Sequence, residues 1–181
     1  MTMTGIQRSA LIATLVKEYR AANHFCGETH VQKSVYFMQE LFKVPLGFEY
    51  LLYKYGPFSF ELQGHLAAMR ADDMLIVRPH EYGSTIEPGA QVTYLEQHLP
   101  NTIRTYGDAV RFGVDHLARL GVKQLEALAT ALYFTVREEN PAVDARAAMI
   151  CEVKPHISID DARKSVEQID RWREEIAHAS D

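Results

Sequence analysis

Leu11, Leu15 and Tyr19 recur at spacings of four with Ile12 and Val16 beside them, so the chain opens on a helix that ends near Asn23-His24. Thr29 stands three residues before Gln32, the spacing of a capping box, and Val31, Val35, Met38 and Leu41 form the apolar stripe of a second helix ending before Pro45. The period then changes. Residues 48–55 (Phe-Glu-Tyr-Leu-Leu-Tyr-Lys-Tyr) are aromatic-rich and too short for a stable helix, which predicts a strand stopped by Gly56-Pro57. Ser59 is a natural N-cap for a helix from Phe60 to about Ala71, with Glu61 in its first turn. Leu75-Ile76-Val77 begins another strand that turns near Tyr82-Gly83-Ser84. Its partner is expected at Thr85-Ile86 or at residues 91–94, with Pro88-Gly89 as a break.

The remaining pattern is helical. One helix is predicted over about 101–120, stopped by Gly121 as a C′ residue, and a second buries Leu125, Leu128, Leu132 and Val136 and ends at Asn140-Pro141. A shorter helix covers about 143–153. After Lys154-Pro155-His156, Ser158 caps a last helix, with Asp160 and Asp161 at its positive end and Ala162, Val166, Ile169, Trp172 and Ile176 as its seam. The expected architecture is α+β and mostly α, in a single domain spanning 1–181. A winged-helix-like half with a small antiparallel sheet (about 6–95) packs on a helical half (about 96–181). In that arrangement residues 60–71 take the place of a recognition helix and 82–84 that of the wing.

Composition narrows the function classes. A chain of 181 residues with 47% hydrophobic and 24% charged residues carries a real core and is neither disordered nor a rod. The net charge is −5, and neither residues 1–90 (8 Lys+Arg, 9 Asp+Glu) nor the remainder (11 and 15) is basic, which argues against a protein held mainly by nucleic-acid phosphates. No apolar run approaches the roughly 20 residues that span a bilayer. Residues 1–6 lack the apolar centre of a signal peptide, and Cys26 and Cys151 do not suggest a disulfide framework, so a reduced, soluble, cytoplasmic protein is expected.

Four segments carry a family resemblance. They are Gln32-Lys33 in the second helix, residues 52–62 (Leu-Tyr-Lys-Tyr-Gly-Pro-Phe-Ser-Phe-Glu-Leu), Leu75-Ile76, and residues 154–158 (Lys-Pro-His-Ile-Ser). Together they resemble the YwgA-like and SocA-like proteins, the group that includes the Panacea antitoxin domain, over about residues 8–176. Phe60 stands where that family often has proline. The resemblance implies a binding protein of the toxin–antitoxin kind, of the sort found in phage-defence or mobile-element settings. By that resemblance such a protein neutralises a toxin or effector encoded nearby, by direct contact. It implies no catalytic site and no cofactor.

The candidate sites each have a structural and a functional reading. Rings on a strand pack and Gly-Pro turns a chain, yet tyrosine also joins large contact area to a polar tip and is favoured at interfaces. Strand alternation puts Tyr53 and Tyr55 on one side and Leu52 and Lys54 on the other, and a lysine resists burial, so Lys54 is expected to mark the outer face. Lys54, Tyr55, Phe58, Phe60 and Gln63 are the expected partner contacts. Gln63, His65 and Arg70 are the expected nucleic-acid contacts if the alternative, a winged-helix DNA-binding regulator, holds. Against it, residues 53–94 carry three Lys/Arg (Lys54, Arg70, Arg78) and five acids (Glu61, Asp72, Asp73, Glu81, Glu87). His24, Cys26 and His30, with Cys151 or His156 as a fourth ligand, match no strong zinc spacing. The third reading, an enzyme with an unrecognised site, has no glycine-rich phosphate loop, Cys-x-x-Cys, H-E-x-x-H or G-x-S-x-G to rest on.

Overall fold

Helix α1 (Gly5–Ala21) starts at a capping box the hydrophobic pattern did not reveal: the Thr4 hydroxyl accepts from the Gln7 amide, and the Gln7 side chain accepts from the Thr4 amide. The computed structural model describes residues 2–81, 83–137 and 142–179. Helix α2 (Glu28–Glu40) begins one residue before the expected Thr29 cap. Gly27 is its N-cap without a side-chain bond, so Thr29 and Gln32 form no capping box; Gln32 is buried and used elsewhere. Leu11, Leu15, Val31, Val35 and Phe37 are fully buried where these helices meet the rest of the chain.

The expected strand over 48–55 is shorter, because Phe48 and Tyr50 are buried in the core before it begins. Strand β1 (Leu51–Tyr53) pairs antiparallel with β2 (Gly56–Phe58), in a register of Leu51 with Phe58 and Tyr53 with Gly56. Gly56-Pro57 thus does not end the strand but carries it back, Gly56 adopting φ +82°, a region that favours glycine. Helix α3 (Phe60–Ala71) follows, its Leu62 amide donating to the Ser59 hydroxyl at 3.1 Å, and Leu62, Leu66 and Met69 face inward. Strands β3 (Leu75–His80) and β4 (Gly83–Pro88) pair with Val77 opposite Ile86 and Arg78 opposite Thr85. Tyr82, expected in the turn, lies outside the described residues. Residues 91–94 are not the partner strand: Val92 and Leu95, three apart, are buried on helix α4 (Val92–His98). Among the described residues the sheets are two separate two-stranded hairpins. Among the described residues the three-stranded sheet of a winged helix is not formed: β1–β2 packs on the Val122–Arg137 helix of the helical half, while β3–β4 packs on α1.

The expected helix over 101–120 is broken into α5 (Pro100–Thr105), α6 (Gly107–Phe112) and a π-helical turn (Gly113–Leu117). Gly113 lets this segment approach α1 and α2, where an added Cβ would sit 3.0 Å from a Leu15 methyl and 3.5 Å from Ser34. The buried Tyr19 hydroxyl, 2.7 Å from the Ser34 hydroxyl, donates to the Gly113 carbonyl, which also accepts the Ala118 amide. Gly121 is not a C′ stop; it opens α7 (Val122–Arg137), its carbonyl accepting the Leu125 amide. The expected end at Asn140-Pro141 lies outside the described residues. Helices α8 (Val143–Val153) and α9 (Ile159–Ala179) complete the chain, Ser158 accepting the Asp161 amide as expected. The described buried hydrophobics of both halves form one continuous core, in which Phe37 of α2 meets Trp172 of α9 at 6.0 Å. The fold is mostly α within the α+β class.

Candidate functional site

The segments at 32–33, 53–59 and 154–156 converge on one place. Gln32 and Lys33, one turn into α2, are buried beneath the β1–β2 hairpin. The Gln32 amide reads the Ser59 backbone twice, donating to its carbonyl at 3.0 Å and accepting from its N–H at 3.2 Å. Lys33 Nζ donates to the Pro57 carbonyl at 2.7 Å. From the other side Lys154, held at the end of α8 by the tight turn into α9, donates to the carbonyls of Tyr53 (2.7 Å) and Lys54. The hairpin is too short to hold itself. Side chains distant in sequence satisfy its backbone instead.

Two buried ammonium groups need an anion. It is Glu126 of α7, with side-chain exposure of 3%: Oε1 lies 3.1 Å from Lys154 Nζ and Oε2 3.2 Å from His156 Nε2. The Lys154 contact is a Coulombic one outside hydrogen-bond alignment, since that ammonium is aimed at the hairpin carbonyls. Burial pulls the Lys33 pKa down to about 8, Glu126 working against that shift and Lys154 adding to it. Gly56 lies on α7 here; a Cβ on it would approach Thr130 Oγ1 to 3.1 Å and the Glu126 carbonyl to 3.4 Å. Glu126 belongs to no motif in the sequence. Its signal is a single carboxylate in the run Leu125-Glu126-Ala127-Leu128-Ala129, where a solvated helix face would carry further polar residues.

This support presents apolar side chains outward. Leu51, Tyr53, Tyr55 and Phe60 are each 44–54% exposed. Phe58 is half-buried among them, with its ring 5.9 Å from that of Tyr53 and 5.1 Å from that of Phe60. Lys54 is exposed, its ammonium 5.4 Å from the Tyr55 ring centroid. The expected alternation is corrected at this point: Leu52 packs against the core, Tyr53 faces out, and Lys54 and Tyr55 form the turn, so the tyrosines and Lys54 share the outer surface. Gln63 is exposed on the next turn of α3, its amide 3.4 Å from Glu28.

The nucleic-acid candidates do not come together. His65 turns inward, 3.0 Å from the Ser9 hydroxyl and against the Phe48 ring, with its pKa lowered by burial and by nearby Arg8. Arg70 is half-buried, and on the β3–β4 hairpin Arg78 pairs with Glu87, as does Arg20. The residues weighed for metal are likewise dispersed. His30 Nε2 bonds the Leu120 carbonyl, Cys26 is buried with its thiol pushed up to about 12, Cys151 contacts the Ile157 carbonyl, and His156 is on Glu126. Among the described residues no group of three metal-ligating side chains is assembled, and no helix is long and apolar enough to cross a membrane. No protein-family model matches the chain, and no curated protein matches it.

Proposed function

We propose that the protein is an antitoxin-like binding protein that acts without catalysis, covering a toxin or effector with the surface formed by the β1–β2 hairpin and the start of α3. The observation that carries this reading is the exposed cluster of Leu51, Tyr53, Tyr55 and Phe60 on a hairpin whose backbone is tied down by Gln32, Lys33 and Lys154. Rigid aromatic groups beside a cation are the usual anchors of protein interfaces, and ordering them beforehand lowers the entropy cost of association. The resemblance of these segments to SocA-like antitoxins supports the same reading. Glu126, Lys33 and Lys154, three buried ionisable groups that a catalytic reading would draw on, are engaged in holding the hairpin. The DNA-regulator reading is disfavoured by the inward turn of His65 and the pairing of Arg78 with Glu87.

The test is co-expression with the product of the adjacent reading frame and affinity measurement on purified components. Tyr53→Ala/Phe60→Ala and Lys54→Glu variants, confirmed folded by circular dichroism, should bind at least about ten-fold more weakly, the effect of losing one interface anchor. Undiminished binding by both variants would return the patch to a structural role.

A further inference from the structure

An open cleft of about 470 Å³ lies between the first halves of α7 and α9 and shares no lining residue with the hairpin's exposed aromatic patch. This volume falls within the roughly 300–1,000 Å³ of small-molecule sites. Its floor is apolar: Ala127, Leu128 and Ile157 are buried there, with Leu120 at one edge. Helical spacing makes the walls, since Lys123, Gln124, Ala127 and Leu128 fall on one face of α7, and Asp161, Lys164 and Ser165 on one face of α9.

The polar groups of the lining differ in whether they are already used. Ser165 donates to the Asp161 carbonyl, and the Asp161 carboxylate accepts the Ser158 hydroxyl at 2.8 Å. His156 bonds Glu126 through Nε2. Lys123 and Lys164 have neither an acid nor a carbonyl partner among the described residues, although the protein as a whole carries a net charge of −5. Two exposed ammonium groups, against the single carboxylate of Asp161, thus leave the lining net cationic beside an apolar floor. That combination recognises an anionic head joined to a hydrocarbon body, each part answering a different wall.

We infer that the α7–α9 cleft binds an aliphatic monocarboxylate, its chain on Ala127, Leu128 and Ile157 and its carboxylate between Lys123 and Lys164. The inference does not rest on the partner-binding reading. The experiment is an amide-resolved NMR titration of the whole protein with octanoate, 1-octanol and acetate in parallel. Octanoate should shift the amides of Gln124, Leu128, Ile157 and Lys164 and saturate in the range of about 1 mM. Octanol, lacking the charge, and acetate, lacking the chain, should each bind at least about ten-fold more weakly. The Lys123→Gln/Lys164→Gln variant replaces exposed side chains and should keep the fold while losing about ten-fold in octanoate affinity, two partly exposed ion pairs' worth. Shifts confined to other surfaces, no saturable shifts, octanol equal to octanoate, or an unaffected double variant would each overturn the assignment.

Discussion

Glu126→Gln isolates the charge at the centre of the cluster while keeping the side chain's volume. In the native protein Glu126 and Lys154 expose 3% and 6% of their side chains and stand 3.1 Å apart. Removing one member of a buried pair leaves the other charge uncompensated, at about 3–5 kcal/mol. Lys154 retains the Tyr53 and Lys54 carbonyls as acceptors, which places the expected loss at the lower end, about 3 kcal/mol. Against a total of about 5–15 kcal/mol that is a large fraction, and for a chain of this size it lowers Tm by about 6–12 °C. Urea unfolding of the wild type, Glu126→Gln, Lys154→Met and the double variant forms a cycle. The double variant should lose less than the sum of the singles by at least about 1.5 kcal/mol, because each single leaves an orphaned partner that the double does not. A Glu126→Gln loss below about 0.5 kcal/mol, or additivity within that margin, would refute the claim that this pair holds the hairpin.

Three further outcomes are expected. Gly56→Ala should cost about 1–3 kcal/mol in the same unfolding assay, since φ is +82° and the new methyl meets Thr130; a neutral substitution would mean the turn relaxes freely. The pKa values of His30 and His65 are both lowered in the folded state, chiefly by burial, so the unfolded chain takes up their protons first as pH falls. Their contribution to stability is therefore present above the ordinary value of 6.5 and is lost on acidification below it; His65→Gln should flatten that part of a Tm–pH profile, and an unchanged slope would remove His65 from the account. Binding to duplex DNA at physiological salt should be weak by fluorescence anisotropy, whereas tight, sequence-dependent binding lost on Gln63→Ala or Arg70→Ala would install the regulator reading instead.

Local chemistry was legible in the chain by itself. Residues 60–71 and 143–153 form the helices expected from their periodicity, and Ser59 and Ser158 cap as expected, because a cap and its amide lie three residues apart. The β3 strand followed from a short apolar run, while its partner was open between Thr85-Ile86 and residues 91–94 until the structure placed it at Gly83–Pro88. The hairpin's placement was decided elsewhere. Gln32 looked like half of a capping box with Thr29, yet its amide satisfies Ser59, 27 residues away. Lys154 reaches the Tyr53 carbonyl across 101 residues of sequence, and Glu126, unremarked in a leucine–alanine helix, supplies the anion both lysines need. The close approach at Gly113 has the same origin, for it is α1 and α2, through Leu15 and Ser34, that leave no room for a side chain there. Periodicity records which face of an element is apolar. Which distant backbone group a buried polar side chain must satisfy depends on how those faces assemble, and only the tertiary structure decides that.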